Sequence, residues 1–108
     1  MDRLLGLKRP PTAVFCASDA QALGVLETLR RRGRRVPEDV AVVGYNDVEM
    51  AEYLGLTTVR IPMRAMGKRG AEMLLQAIDE PERPPEHIRL PAELVVRRTS
   101  APAPRQRS

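Results

Sequence analysis

Two short stretches carry the side chains most able to do chemistry. One is "FCASDAQALG", Phe15 to Gly24, and the other is "VVGYND", Val42 to Asp47. Each is an apolar run that stops on small polar residues. Ser18 and Asp19 end the first, and Tyr45, Asn46 and Asp47 end the second. Hydroxyl, carboxamide and carboxylate groups supply both donors and acceptors. Such a set suits reversible pairing with the hydroxyls or ring nitrogens of a small molecule. The bland alternative is that Asp19 and Asp47 only cap helices. The two roles are compatible, because a cap occupies one carboxylate oxygen and leaves the other.

Catalysis finds little support. Ser18 lacks a G-x-S-x-G elbow, and the one histidine, His87, lies far off in a proline-rich loop. A nucleophile needs a base within hydrogen-bond reach. The chain has neither a P-loop nor a G-x-G-x-x-G. One Cys and one His do not make a metal site. No catalytic residue, metal or cofactor is therefore expected. "GKRG", Gly67 to Gly70, imitates the loop with which some domains clamp RNA, but here it falls inside a helical pattern, where small residues permit close packing. Aromatics make up 3% of the chain, too few for a stacking platform on single strands.

The elements that would hold the polar residues follow from the apolar pattern. Residues 3 to 8 look like a helix end, cut off by Pro10 and Pro11. "TAVFCA" (12–17) and "VAVVG" (40–44) are unbroken apolar runs, which suit strands covered on both faces. Between them Ser18 or Asp19 caps a helix whose inner face is Ala22, Leu23, Leu26 and Leu29, with Gly33 just past its end. A two-turn helix is predicted over 48–54 and a third strand over 57–61. A longer helix starts at Pro62 and runs to Asp79. Met63, Met66, Gly70, Leu74 and Ile78 form one stripe on it, with Gly67, Ala71 and Leu75 beside them. After a polar, proline-rich loop a last strand is predicted over 88–98, where Pro91 demands a bulge or an edge. Strand–helix alternation implies a parallel α/β sheet with right-handed crossovers. In such sheets ligands bind beyond the carboxyl ends of the strands, where helix N-termini offer free N–H groups.

With 108 residues one domain is the default. It is expected over 1–99, followed by a disordered tail, 100–108, too poor in apolar residues to stay ordered. Hydrophobic content of 43% and charged content of 30% mark a globular chain. Net charge is +4, concentrated in "RRRGRR" (30–35) and in the tail. That pattern fits an anionic partner or simply a helix C-terminus, where cations are favoured. The single Cys16 excludes an internal disulfide and reads as an inert small hydrophobe. The start, "MDRLLGLKRPP", is too short and charged for a secretory signal, and no apolar run approaches membrane-spanning length. A cytoplasmic protein without membrane contact is expected.

The whole pattern is more specific than its pieces. "RPPTAVFCASDAQALGVLETLRRRGRRVPEDVAVVGYND", then "LTTVRIPMRAMGKRGAEMLL", then "LPAELVVRRTSAP" closely resembles the C-terminal part of the lactose-repressor family of bacterial transcription regulators. The resemblance covers roughly residues 9–104. It implies an α/β fold: a three-layer, mostly parallel sheet like the second lobe of a type I periplasmic binding protein, here incomplete. In that family a helix-turn-helix reads operator DNA, and two lobes hold a small effector, often a sugar or nucleobase, between them. Dimers form through the lobes, and the effector shifts lobe geometry and DNA affinity. On this resemblance Ser18, Asp19 and Asn46 would contact the effector, and Met63 would stand at the pocket wall. Asn46 replaces the usual Asp of "GYDD", which disfavours a cationic or donor-rich effector. The helix over 48–54, with Met50, Tyr53 and Leu54, would help form the dimer interface; the loop before "LTT" is shorter than in relatives.

The resemblance also implies that the chain starts partway through the family's length, so that operator DNA would be read only through an N-terminal domain this chain lacks, and ligand affinity would be weak. In the family the helix over 63–79 packs on the first lobe. Burying an Ile, Leu or Met side chain contributes roughly 1.5–3 kcal/mol, so the stripe with Met66, Leu74 and Ile78 needs cover. Its own sheet or a second chain, with elements exchanged between copies, could supply it. A homodimer is the expected state. The rival reading within the same fold is a sugar-binding protein of a transporter, and an α/β hydrolase is the remote one.

Overall fold

The computed structural model describes residues 1–101. Helix α1 (Asp2–Leu5) precedes β1 (Ala13–Phe15), α2 (Asp19–Arg31), β2 (Ala41–Val43) and α3 (Glu49–Leu54). Then come β3 (Thr58–Arg60), α4 (Met63–Asp79) and β4 (Glu93–Val95). The predicted order of elements is reproduced. The chain divides into two compact units: Met1–Arg60 with the segment from Glu93 onward, and Ile61–Ala92. The single unit expected over 1–99 is thus interrupted by an excursion that carries its own contacts.

In the first unit β1 and β2 pair in parallel, Ala13 opposite Ala41 and Phe15 opposite Val43. Parallel bridges Val43–Thr57 and Asn46–Arg60 carry the sheet on to β3, with Gly44 N donating to Thr57 O at 2.9 Å and Asn46 N to Val59 O at 3.0 Å. β4 runs antiparallel to β3, Arg60 opposite Glu93. The order is β1-β2-β3-β4, three strands parallel and the last reversed. Pro91 stays outside β4, whose regular part is shorter than the predicted 88–98 because proline cannot donate to a ladder.

The core is built of small and branched side chains: Cys16, Ala22, Leu29, Val40, Val42, Ala51 and Leu56 are buried. Gly33 takes the left-handed conformation that ends α2. The inner face of α2 is rotated from the predicted one. Ala22 and Leu29 are buried, Val25 and Leu26 pack against the core, and Leu23 is exposed instead. Thr28 shares the covered side, its hydroxyl donating to Gly24 O at 3.0 Å. A polar residue satisfied by its own helix hides from an apolar pattern. The cover expected on both faces of the first strand is also absent among the described residues: Ala13 and Phe15 are exposed and Val14 is half-buried.

The segment after β4 is stitched into the sheet. Thr99 is buried; it bonds Val42 through both its carbonyl and its hydroxyl, at 2.8 and 2.7 Å. Its hydroxyl oxygen also accepts from Thr57 N at 2.9 Å. Ser100 lies 2.6 Å from the Thr57 hydroxyl. Ser100, read from sequence as the first residue of a loose tail, is bonded; the rest of that tail beyond residue 101 lies outside the described residues.

In the second unit α4 starts and ends where the stripe predicts. None of its residues is buried. Arg69, Met73 and Gln76 are half-covered, and Arg69 approaches Glu86 of the following loop at 3.7 Å. Met66, Leu74 and Ile78 face solvent, the last two at 62% and 65% exposure. The stripe therefore finds no cover among the described residues.

Candidate effector site

Ser18 sits at the end of β1 in extended conformation and caps α2, its Oγ accepting from Gln21 N at 3.2 Å. That bond uses an oxygen lone pair and leaves the hydroxyl hydrogen available. The next amide, Asp19 N, donates to Tyr45 O at 2.9 Å. This one bond brings the two polar strand ends side by side, as the loop positions at the carboxyl edge of a parallel sheet require.

Asp19 is not on the rim. It is 3% exposed. Its Oδ1 accepts from the Thr58 hydroxyl at 2.6 Å and its Oδ2 from Val48 N at 2.9 Å. A buried carboxylate is tolerable only when its oxygens are so engaged. Gly44 is what lets β2 pass this close: a Cβ there would collide with Asp19 Oδ1 and touch Leu56. Asp19 therefore ties the start of α2 to β3 and to the start of α3. Neither contact is local in sequence, which is why the motif alone placed Asp19 with the ligand groups.

Asn46 and Asp47 both adopt positive φ, 119° and 61°. Side-chain amides and carboxylates are the non-glycine groups that best tolerate this region, but it still carries strain. The strained pair is bracketed. Asn46 N is bonded to Val59 O, Val48 N to Asp19, and the Asp47 side chain to two arginines. Arg60 Nε donates to Asp47 Oδ2 at 2.7 Å, and Arg97 Nη1 donates to Oδ1 at 2.8 Å and to Leu56 O at 3.0 Å. Burial pushes the Asp47 carboxyl up, but the bonds and charges of Arg97 and Arg60 outweigh it and hold the group below its ordinary range. The Asn46 carboxamide is half-buried and makes no hydrogen bond to another described side chain or backbone group.

Sequence reasoning missed Arg60, Arg97, Thr58 and Thr99. The only signal was their place in "LTTVR" and "LVVRRT", read as strand and not as bonding partners. Met63 opens α4 in the second unit and is half-exposed. Cys16 is buried, and burial first, then the Asp19 charge, pushes its thiol up, so it stays protonated and inert. Among the described residues no cluster of His, Cys, Asp or Glu could hold a metal ion, and no helix is long and apolar enough to cross a membrane. Beside Asn46 a groove of about 230 Å³ runs between α2 and α3, walled by Ala20, Leu23, Val48, Met50 and Leu54. Tyr53 stands beyond it, 81% exposed.

The periplasmic binding protein-like domain family matches residues 1–100. The HTH-type transcriptional repressor PurR of Vibrio parahaemolyticus is 40% identical over 100 residues, which are 91% of this chain and 30% of that repressor. A transcriptional regulator LacI from Bacillus cereus subsp. cytotoxis superposes with a TM-score of 0.89 at 32% identity, over 93% of this chain and 36% of that one. A LacI family regulator from Enterococcus faecium with bound ribose gives 0.82 at 34% identity, over 95% of this chain and 38% of that one. The chain thus spans about a third of the length of the proteins it matches.

Proposed function

We propose, because this chain belongs to the periplasmic binding protein-like domain family of LacI-type transcription regulators, that it provides one wall of a cleft for a small effector. Ser18 and Asn46 supply the direct polar contacts. Asp19 and Asp47 hold the frame under them. The observation that carries this reading is the bond from Asp19 N to Tyr45 O, which gathers two strand ends whose Ser18 hydroxyl and Asn46 amide retain bonding capacity. The E. faecium neighbour holds ribose, so a sugar is the class to try first. The relatives are repressors rather than transporter components or enzymes, which favours a regulatory, non-catalytic role in the cytoplasm.

The apolar surfaces carry the second half of the proposal. Met50, Tyr53 and Leu54 on α3, with the groove beside them, would take part in a dimer contact. Met66, Leu74 and Ile78 on α4 would pack on a further lobe or a second copy, with elements exchanged between copies as one route. Operator DNA would be met through the part of such regulators that this chain does not span.

The test is titration of the chain with ribose and other neutral sugars, followed by NMR. Shifts at Ser18 and Asn46, lost in the Ser18→Ala/Asn46→Ala double variant, are expected. Shifts confined to other surfaces would sink the assignment. Light scattering across a concentration series reads the dimer, and a monomer throughout would argue against the α3 and α4 contacts.

A further inference from the structure

The polar groups at the strand ends divide sharply by what they can still offer. Both carboxylates are occupied: Asp19 by Thr58 and Val48, Asp47 by Arg60 and Arg97. What remains unpaired is weighted toward donors. Ser18 retains its hydroxyl hydrogen and Asn46 both amide hydrogens. Arg60 uses only Nε on Asp47, so the terminal nitrogens of its guanidinium stay open, and the side chain is half-exposed. Besides Asp47, the acids Glu93 and Glu52 act on this guanidinium; Glu93 lies 3.8 Å from Nη1 and is itself largely exposed, a contact loose enough for a ligand to displace. Arg60 is bridged directly to Asn46 across the sheet, so these donors share one rim. Arg97 is different: it is mostly buried and its Nη1 is already bonded twice.

From this we infer that the effector carries an anionic group, a carboxylate or a phosphate on a sugar-sized body, which the open guanidinium edge of Arg60 receives while Ser18 and Asn46 bond its hydroxyls. The inference rests on the effector-site reading above and names its ligand class. A guanidinium forks onto carboxylate and phosphate oxygens in the same geometry, so both are admitted. The Asn46 amide is consistent with this, since an acid at that position would repel such a ligand.

The experiment uses matched pairs on the chain itself: glucuronate against glucose, and ribose 5-phosphate against ribose. Binding is followed by NMR shifts of the Asn46 side-chain amide and the Arg60 Nε–H. The acidic member of at least one pair should bind ~10-fold more tightly, with the preference falling as salt rises. Arg60→Gln should abolish the preference, Arg60→Lys should keep part of it, and Arg31→Gln at the far end of α2 should leave it intact. Melting curves of each variant separate lost binding from lost folding. A gain for both acids marks recognition of charge, and a gain for one names the group. If neutral and acidic members bind equally, and Asn46→Ala weakens both, the anion inference fails and the effector site stands. If no member binds in a way that Asn46→Ala alters, the site reading itself fails with it.

Discussion

The strand-end cluster and helix α4 are opposite solutions to the same problem. Around Asp19 and Asp47 every buried polar group finds its partner inside the chain, and among the described residues no buried side-chain polar atom lacks one. Along α4 the apolar stripe finds none among the described residues; Leu74 and Ile78 lie open. One region is closed by contacts between residues far apart in sequence, such as Asp19 with Thr58 or Asp47 with Arg97. The other is a regular helix, held by its own turns and a short loop. The difference separates two expectations: damage to the first should be felt as lost folding, and damage to the second, if the proposed association holds, as lost association.

The sharpest way to break this contrast is Asp19→Ala. It strands the Thr58 hydroxyl and Val48 N and should cost about 3 kcal/mol in urea unfolding, since each buried group left without a partner costs ~1–3 kcal/mol. Arg97→Met should cost about 2 kcal/mol, because Asp47 would remain buried with one partner instead of two. Acid probes the same contact from the other side. The folded pKa of Asp47 is depressed, so its contribution is complete above the ordinary Asp value of about 3.9. It fades as the pH falls through the lower folded value. Arg97→Met should flatten that acid limb. Thr99→Val, which leaves Thr57 N without its acceptor, should cost about 1 kcal/mol. At the far end, Ile78→Ser should shift stability by less than about 0.5 kcal/mol while weakening self-association in light scattering. An Ile78→Ser cost equal to that of Asp19→Ala would erase the distinction.

What the sequence disclosed follows the same division. The bounds of α4, the Ser18 cap and the left-handed Gly33 were legible because each depends on neighbours within a few residues. The adjacency of Ser18 and Asn46 was legible through the rule for parallel sheets. The bonding partners of Asp19 and Asp47 were not. A short acid after a strand reads as a ligand group or as a cap, and only Thr58, Arg60 and Arg97 decide. Thr99 shows the same limit: in sequence it starts a polar tail, in space it lies buried between β2 and β3. Leu23 failed for another reason. The apolar periodicity of α2 fixed a face to within one position; the covered side extends to Thr28, paired with its own helix, and leaves Leu23 out.

Arg60 and Glu93 face each other at the point where the chain leaves the sheet and where it returns. Topologically β3 and β4 are therefore a hairpin with a very large loop, Ile61–Ala92. Closing a long loop costs little more than closing a short one, because the entropy grows only with the logarithm of its length. Evolution could enlarge, exchange or remove that loop without unpicking the strands, and a tight turn from Arg60 to Glu93 would keep the β3–β4 ladder in a shorter chain.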